Sequence, residues 1–517
     1  MFRHPFPDRL LSLRHLMPRL VQEMEMGHPD WYGFAFLEES RTLSATIHQT
    51  ESAQDHVDRG LVLRLMAGGR NLETASNDLD PDPLLEAARA LRLRAEALPA
   101  LPVAPVAAFP WSHWKASELE EMVAKQWPEN PTPQTEAHFS PEVDEEPPAT
   151  LESLLADGRA RREKALAWDQ GFIASNGFTE PLSSVMVQLR SRTVIQVFVD
   201  RERNQSQTLP ITLSTLRGQT RGGRSMRALS GGMGGRRIGA FSEEDFALAL
   251  GVPHRLDRAE RLTPGSWPVL TAADVTGVIA HEAFGHTQEG DTVRQGRSIS
   301  PQLRGRQIGN THASILSHGA LFQSGEHAHG TNASAFFDHE GQFSRKHSLL
   351  HAGVLGDPMT DLLSSQHLGL PATGNGKRES WRRPTLVRQT NTYFTWGTES
   401  VEDLIGKVRG TGFLARWSHG GMEDPKGANL TAGAEYLEEI VDGRLTGRLF
   451  VGPQGGHVEL SGYVPEMLQG ILGKSGPGPE SAPDPLNLSG GCGKYHKEYV
   501  QAGCGGPWIL WEKLLCG

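Results

Sequence analysis

An apolar stripe that runs straight into a carboxylate constrains this chain more than any other feature. Val275, Val278 and Ile279 recur at helical spacing, and Glu282 follows three or four residues later on the same side. A helix with that pattern is buried, and its carboxylate points inward, where a lone charge is costly unless something holds it. Thr271 with Asp274 three residues on resembles a capping box, so the spacing predicts a helix over about 272–288. His281, Glu282 and His286 form His-Glu-x-x-x-His. At ~100° per residue, positions five apart diverge by roughly 140°, so both imidazoles meet one metal only if the helix widens locally by an i to i+5 turn. Gly285 eases such a distortion.

The rest of the chain bounds what surrounds this segment. Its 517 residues exceed what one core usually organises, so two or three domains are expected. With 38% hydrophobic and 22% charged residues, the composition is that of a folded globular protein and excludes a disordered or collagen-like chain. The 58 Gly and 33 Pro favour turns and strands over a helical bundle. A net charge of -10 argues against general polyanion binding. Cys492, Cys504 and Cys516 are too few for a disulfide framework and fit a reducing cytoplasm. The first residues lack the apolar run of a signal peptide, and no stretch approaches ~18 uninterrupted apolar residues, so neither export nor membrane spanning is expected.

The expected class is α+β: N-terminal α/β units, then a large strand-rich C-terminal domain holding the His-Glu-x-x-x-His helix. Residues 1–97 read as one α/β domain, with strands around Trp31–Leu37, Leu43–Ile47 and Leu61–Met66 and a helix over Asp82–Leu98. Residues 98–150 are Pro-rich and read as a linker or insertion with a short helix near Ser117–Lys125. Residues 151–240 form a second α/β segment, with a helix over Leu151–Ala167 and strands at Val185–Leu189 and Val194–Val199. Its Arg217–Arg237 stretch, rich in Gly and Arg, is expected as a mobile loop. Residues 241–517 make the β-rich domain.

A metal at His281 and His286 needs a third protein ligand, and Cys492, flanked by glycines that let a loop approach closely, is the first candidate. An ordinary buried cysteine is the alternative reading of that residue. Cys504 and Cys516 are weaker candidates, and His327-Ala-His329 is a rival site without a comparable general base.

These residues resemble the TldD/PmbA metallopeptidases, specifically the metal-bearing TldD-like members. The resemblance rests on His281-Glu-Ala-Phe-Gly-His-Thr-Gln-Glu-Gly-Asp291 and on blocks in the same order: Gly60–Arg64 with Thr74–Asn77, Asp338–Gly341, Thr373–Ser380, Thr390–Tyr393, Ala434–Leu437 and Gly491–Lys494. The Pro-rich 98–150 stretch and Val500–Pro507 depart from the family pattern. The resemblance implies a zinc-dependent peptidase with His281, His286 and Cys492 as ligands. A metal-activated water would attack the peptide carbonyl, with Glu282 as general base. It also implies small or unfolded peptide substrates bound by strand addition, and a homodimer or a heterodimer with a PmbA-like subunit. The alternatives are a non-catalytic peptide-binding subunit of such a complex and, on the Arg-Gly-rich stretch, nucleic-acid binding. The latter is disfavoured because no aromatics interleave with those arginines.

Overall fold

The computed structural model describes residues 4–99, 136–141, 150–233, 240–324, 328–329, 331–477, 490–494 and 498–517. Most of the Pro-rich 98–150 stretch with its expected short helix, the end of the Arg-Gly stretch, and His327 lie outside the described residues.

Long alternating strands build the N-terminal half. β1 (Tyr32–Ile47), β2 (Glu51–Ala67) and β3 (Arg70–Ser76) join β4 (Glu136–Phe139), β5 (Ser184–Val199), β6 (Asn204–Gln219) and β7 (Ser225–Met233) in a seven-stranded sheet. Its order is β3-β2-β1-β5-β6-β4, with β7 also on β6; β4 runs parallel to β6 and the other pairs are antiparallel. The strands expected from residues 1–97 and from 151–240 therefore share one sheet, because β1 pairs with both β2 and β5. Of the Arg217–Arg237 stretch, Arg217–Gln219 and Ser225–Met233 are not a loop but facing parts of β6 and β7 joined by a short turn. Buried Met226 and Ala228 alternate there with exposed Arg227, and Gly223, at φ 87°, supplies the turn.

One face of this sheet is covered by α1 (Leu11–Glu25), α2 (Pro81–Ala97) and the helix Leu151–Asn176. That third helix starts at Thr150, whose side chain accepts from the Ser153 N–H at 3.2 Å, and stops at Gly177, at φ 66°. It runs past the predicted Ala167 because the first left-handed residue lies ten positions further on. On the other face, Phe34, Phe36 and Phe198 pack against Phe336, Phe337 and Trp381 of the C-terminal half. Burying each of these rings stabilises the seam by roughly 2 kcal/mol.

In the C-terminal half, strands Gly265–Thr271, Thr411–Asp424, Asn429–Val441, Val458–Tyr463 and Ile509–Cys516 pair around a closed ring, with further strands attached. Against it pack the helix Ala273–Glu282 and a five-stranded sheet that includes Asn391–Phe394 and Gly503–Gly505, which run parallel to each other. The architecture is mixed and strand-rich, as expected. Among the described residues no helix is long and apolar enough to cross a membrane.

Candidate metal centre

The helix that carries His281 and Glu282 is fixed by burial: Val275 and Ile279 are 0% exposed, in one core with Phe413, Ala432 and Leu460 of the ring. Its start differs from the capping box expected. Ala272 is the N-cap; Thr271 Oγ1 instead accepts from Trp511 Nε1 at 2.9 Å, and the Asp274 carboxylate accepts from the Ser418 N–H at 2.7 Å. A buried indole and a strand end compete for those side chains and win.

The helix also ends early. It does not widen through His286 but stops at Glu282; Phe284 takes φ 75°, and His286–Gln288 form a separate 3-10 turn. A bulky residue in the left-handed region costs roughly 1–3 kcal/mol, and the burial of Phe284 in the core offsets that strain. Gly285 is required by close approach: a Cβ there would sit 1.9 Å from the His281 carbonyl oxygen and 2.3 Å from Gln389 Oε1. Gln389 Nε2 in turn donates to that carbonyl at 3.0 Å. The break, not a wider helix, turns His286 back so that its ring meets His281 edge-on at 4.9 Å between centroids.

Cys492 arrives from more than two hundred residues away on the short strand Gly491–Cys492, paired to Val500–Gln501. Three cations hold this segment. Arg388 donates through Nη2 to the Cys492 carbonyl at 2.6 Å and through Nη1 to the Glu498 carbonyl at 2.8 Å. Lys377 Nζ donates to the Gln501 carbonyl at 2.7 Å. Lys494 Nζ lies 2.8 Å from Glu289 Oε2 and 2.6 Å from Asp291 Oδ1. Glu289 Oε2 also lies 3.2 Å from His286 Nδ1, so one buried carboxylate ties both arms of the site together.

One ligand atom each from His281, His286 and Cys492 comes within 4.8 Å of the others, with Cys492 Sγ 3.1 Å from His286 Nε2. Burial would raise the Cys492 thiol, but the charges of His286 and His281 outweigh it and bring it down to about 4. Burial works against protonation of His286, yet Glu289 and Cys492 push it well above its ordinary value. Glu282 is 6% exposed, and its Oε2 lies 3.9 Å from His286 Nε2 and has no hydrogen-bond partner among the described residues. Burial raises its carboxyl, against the pull of the two imidazoles. Two imidazole nitrogens and the Cys492 sulfur at the edge of a cavity of ≈ 680 Å³ are a donor set a zinc ion takes, with the Glu282 carboxylate beside them. The residues present fit such an ion.

All four predicted site residues are thus neighbours. Of the weaker candidates, Cys504 lines the same cavity, whereas Cys516 is buried on the last ring strand with its thiol pushed up to about 12 by burial. Arg388, Gln389 and Glu423 were not anticipated. Glu423 accepts from the Thr287 N–H at 3.1 Å and from its hydroxyl, gripping the turn that carries His286.

Residues 264–492 match the family model described as the PmbA/TldA metallopeptidase C-terminal domain, a span that opens just before the site helix and closes on Cys492. Over that span the chain resembles the TldD/PmbA metallopeptidases. A metalloprotease TldD homolog of Buchnera aphidicola is 31% identical over 202 residues, 39% of this chain and 40% of that protein. A zinc metalloprotease TldD homolog of Saccharolobus solfataricus is 27% identical over 253 residues, 49% of this chain and 52% of that one. The chain thus spans about half the length of the curated relatives it matches. The solved structure of TldE from Thermococcus kodakarensis shares the fold at a TM-score of 0.66 and 14% identity, over 97% of this chain and 100% of that one. Within the TldD/PmbA match lie Glu289, Asp291, Arg388 and Glu423 as well as the three candidate ligands.

Proposed function

We propose that this chain is a zinc-dependent metallopeptidase of the TldD/PmbA family, hydrolysing small or unfolded, extended peptides. His281, His286 and Cys492 would hold the ion and Glu282 would be the general base. The observation that carries this reading is the convergence of three ligand atoms within 4.8 Å beside a buried carboxylate oxygen with no hydrogen-bond partner among the described residues. Names of relatives as metalloproteases support it. When bound, zinc supplies Lewis acidity and a lowered water pKa, near 7.

The chain's own residues do the rest. Glu282 Oε2 takes a proton from the attacking water and returns it to the leaving amine, work that needs a carboxyl raised by its surroundings and within reach of the cavity. Glu289 engages His286 Nδ1, so that Nε2 faces the site. An extended chain would enter this cavity, and pairing with a second copy or a PmbA-like subunit would enclose it. Elemental analysis and peptide hydrolysis test the reading. Wild type should hold about one zinc per chain. Cys492→Ala should lose the zinc, and Glu282→Gln should keep the zinc but lose turnover. Zinc retained in Cys492→Ala, or undiminished cleavage by Glu282→Gln, overturns it.

A further inference from the structure

Among the described residues, the face of the N-terminal sheet that packs on the C-terminal half is covered only at one end. Counting back along β5 by twos from Phe198, in the seam, leads to Gln196, Val194, Arg192, Arg190 and Gln188 on that face. Gln188 and Arg190 are exposed. Arg190 lies opposite Leu213 of β6, and two rungs on Arg217 lies opposite Arg227 of β7, so residues across the ladder share the face. Arg190, Arg217 and Arg227 are all exposed, while the helices occupy the other side through Val185, Val187 and Leu189.

Arg217 donates to Ser225 Oγ at 3.1 Å, and among the described residues no carboxylate pairs with any of the three. Across β5 on β1 and β2 the same face offers Thr42, Ser44, Gln54 and His56. The nearest carboxylates on that face are engaged, Asp58 with Arg382 at 2.8 Å and Glu38 with Gln196 at 2.7 Å. On a chain of net charge -10, this is a local excess of positive charge.

The basic face adjoins the candidate metal centre through Tyr499. Its ring covers Gly491, where a Cβ would meet it at 1.7 Å, and its hydroxyl lies in the fields of Arg190 and Arg227 as well as of Cys492. The only thing that passes a peptidase centre and must be held beside it is the substrate chain. We propose that the uncovered face of the N-terminal sheet, through Arg190, Arg217 and Arg227, recognises acidic segments of the polypeptide being cleaved, making the preferred substrate an acidic, extended chain. This deepens the metallopeptidase reading and rests on it. Beyond the seam, the positions of this face on β1, β2 and β5–β7 carry no Phe, Tyr or Trp for base stacking, which favours acidic peptide over single-stranded nucleic acid.

Binding is measured by fluorescence anisotropy on full-length Glu282→Gln, with three labelled peptides of equal length in which Glu, Gln or Lys alternates with a fixed neutral sequence. The Glu peptide should bind about tenfold tighter than the Gln peptide, three exposed ion pairs each giving a few-fold. That advantage should shrink between about 50 and 300 mM salt. Changing the three arginines to Ala should abolish the preference, and changing them to Lys should restore it. Equal binding of the three peptides, or an unchanged preference in the Ala variant, overturns the proposal. So does tighter binding of an oligonucleotide of equal length, or a dimer by sedimentation that the Ala variant loses. Cleavage of the Gln peptide by wild type reads the chemistry separately: preference without any cleavage sinks the peptidase reading, and cleavage without preference sinks this one.

Discussion

At Gly285 the site admits no side chain at all. A Cβ would displace the His281 carbonyl and the Gln389 amide at once, both fixed by buried contacts. Gly285→Ala is expected to destabilise the protein by roughly 3 kcal/mol, as overpacking does, and to lose zinc with it. Urea unfolding and metal content check this, and a stable, zinc-loaded Ala variant would contradict the geometry. His281, Glu282 and His286 were legible because local spacing carried them, and Cys492 because its glycines marked a close approach. Arg388, Gln389 and Glu423 were not, since each reaches the site across 104 to 136 residues of chain and leaves no local pattern. Only folding brings them there.

Among the elements, alternation proved a better guide than composition. Over Ser184–Ser191 of β5 and Ser225–Leu229 of β7 every second residue is buried, and that period makes a strand of the latter in spite of its arginine and the glycines that follow. The site helix shows the limit of local rules. Its capping signal at Thr271 and Asp274 was real in spacing, yet Trp511 and Ser418, distant in sequence, claim both side chains. Where no such competitor exists, as at Thr150, the cap forms. Thr150→Ala should therefore cost about 1 kcal/mol in denaturant unfolding, the usual loss of a helix cap. Thr271→Ser, which keeps the hydroxyl for the indole, should cost less than Thr271→Val, which leaves a buried Trp511 N–H unsatisfied.

Across the whole molecule, a polar seam joins the N-terminal sheet to the C-terminal half, and it makes stability depend on pH. Arg64 pairs with Glu340, and Arg378 with Glu73, in both cases spanning from sheet to C-terminal half. Between them His339 stacks on Phe36 at 5.0 Å and accepts the Arg378 N–H at Nδ1. Burial, with Lys377, Arg378 and Arg192 adding to it, keeps His339 neutral to well below the ordinary histidine value. The unfolded chain binds that proton near pH 6.5 while the folded one does not, so the unfolded state holds more protons below that pH. The contribution is fully present above about 6.5 and is lost as pH falls through and below it. Wild type should thus lose up to ~1.4 kcal/mol per pH unit from this one residue below pH 6. His339→Gln, which keeps an acceptor and cannot titrate, should unfold at a urea midpoint less sensitive to pH than wild type. Equal slopes for the two proteins between pH 7.5 and 5 would show that the seam opens, or takes up water, before His339 is asked to charge.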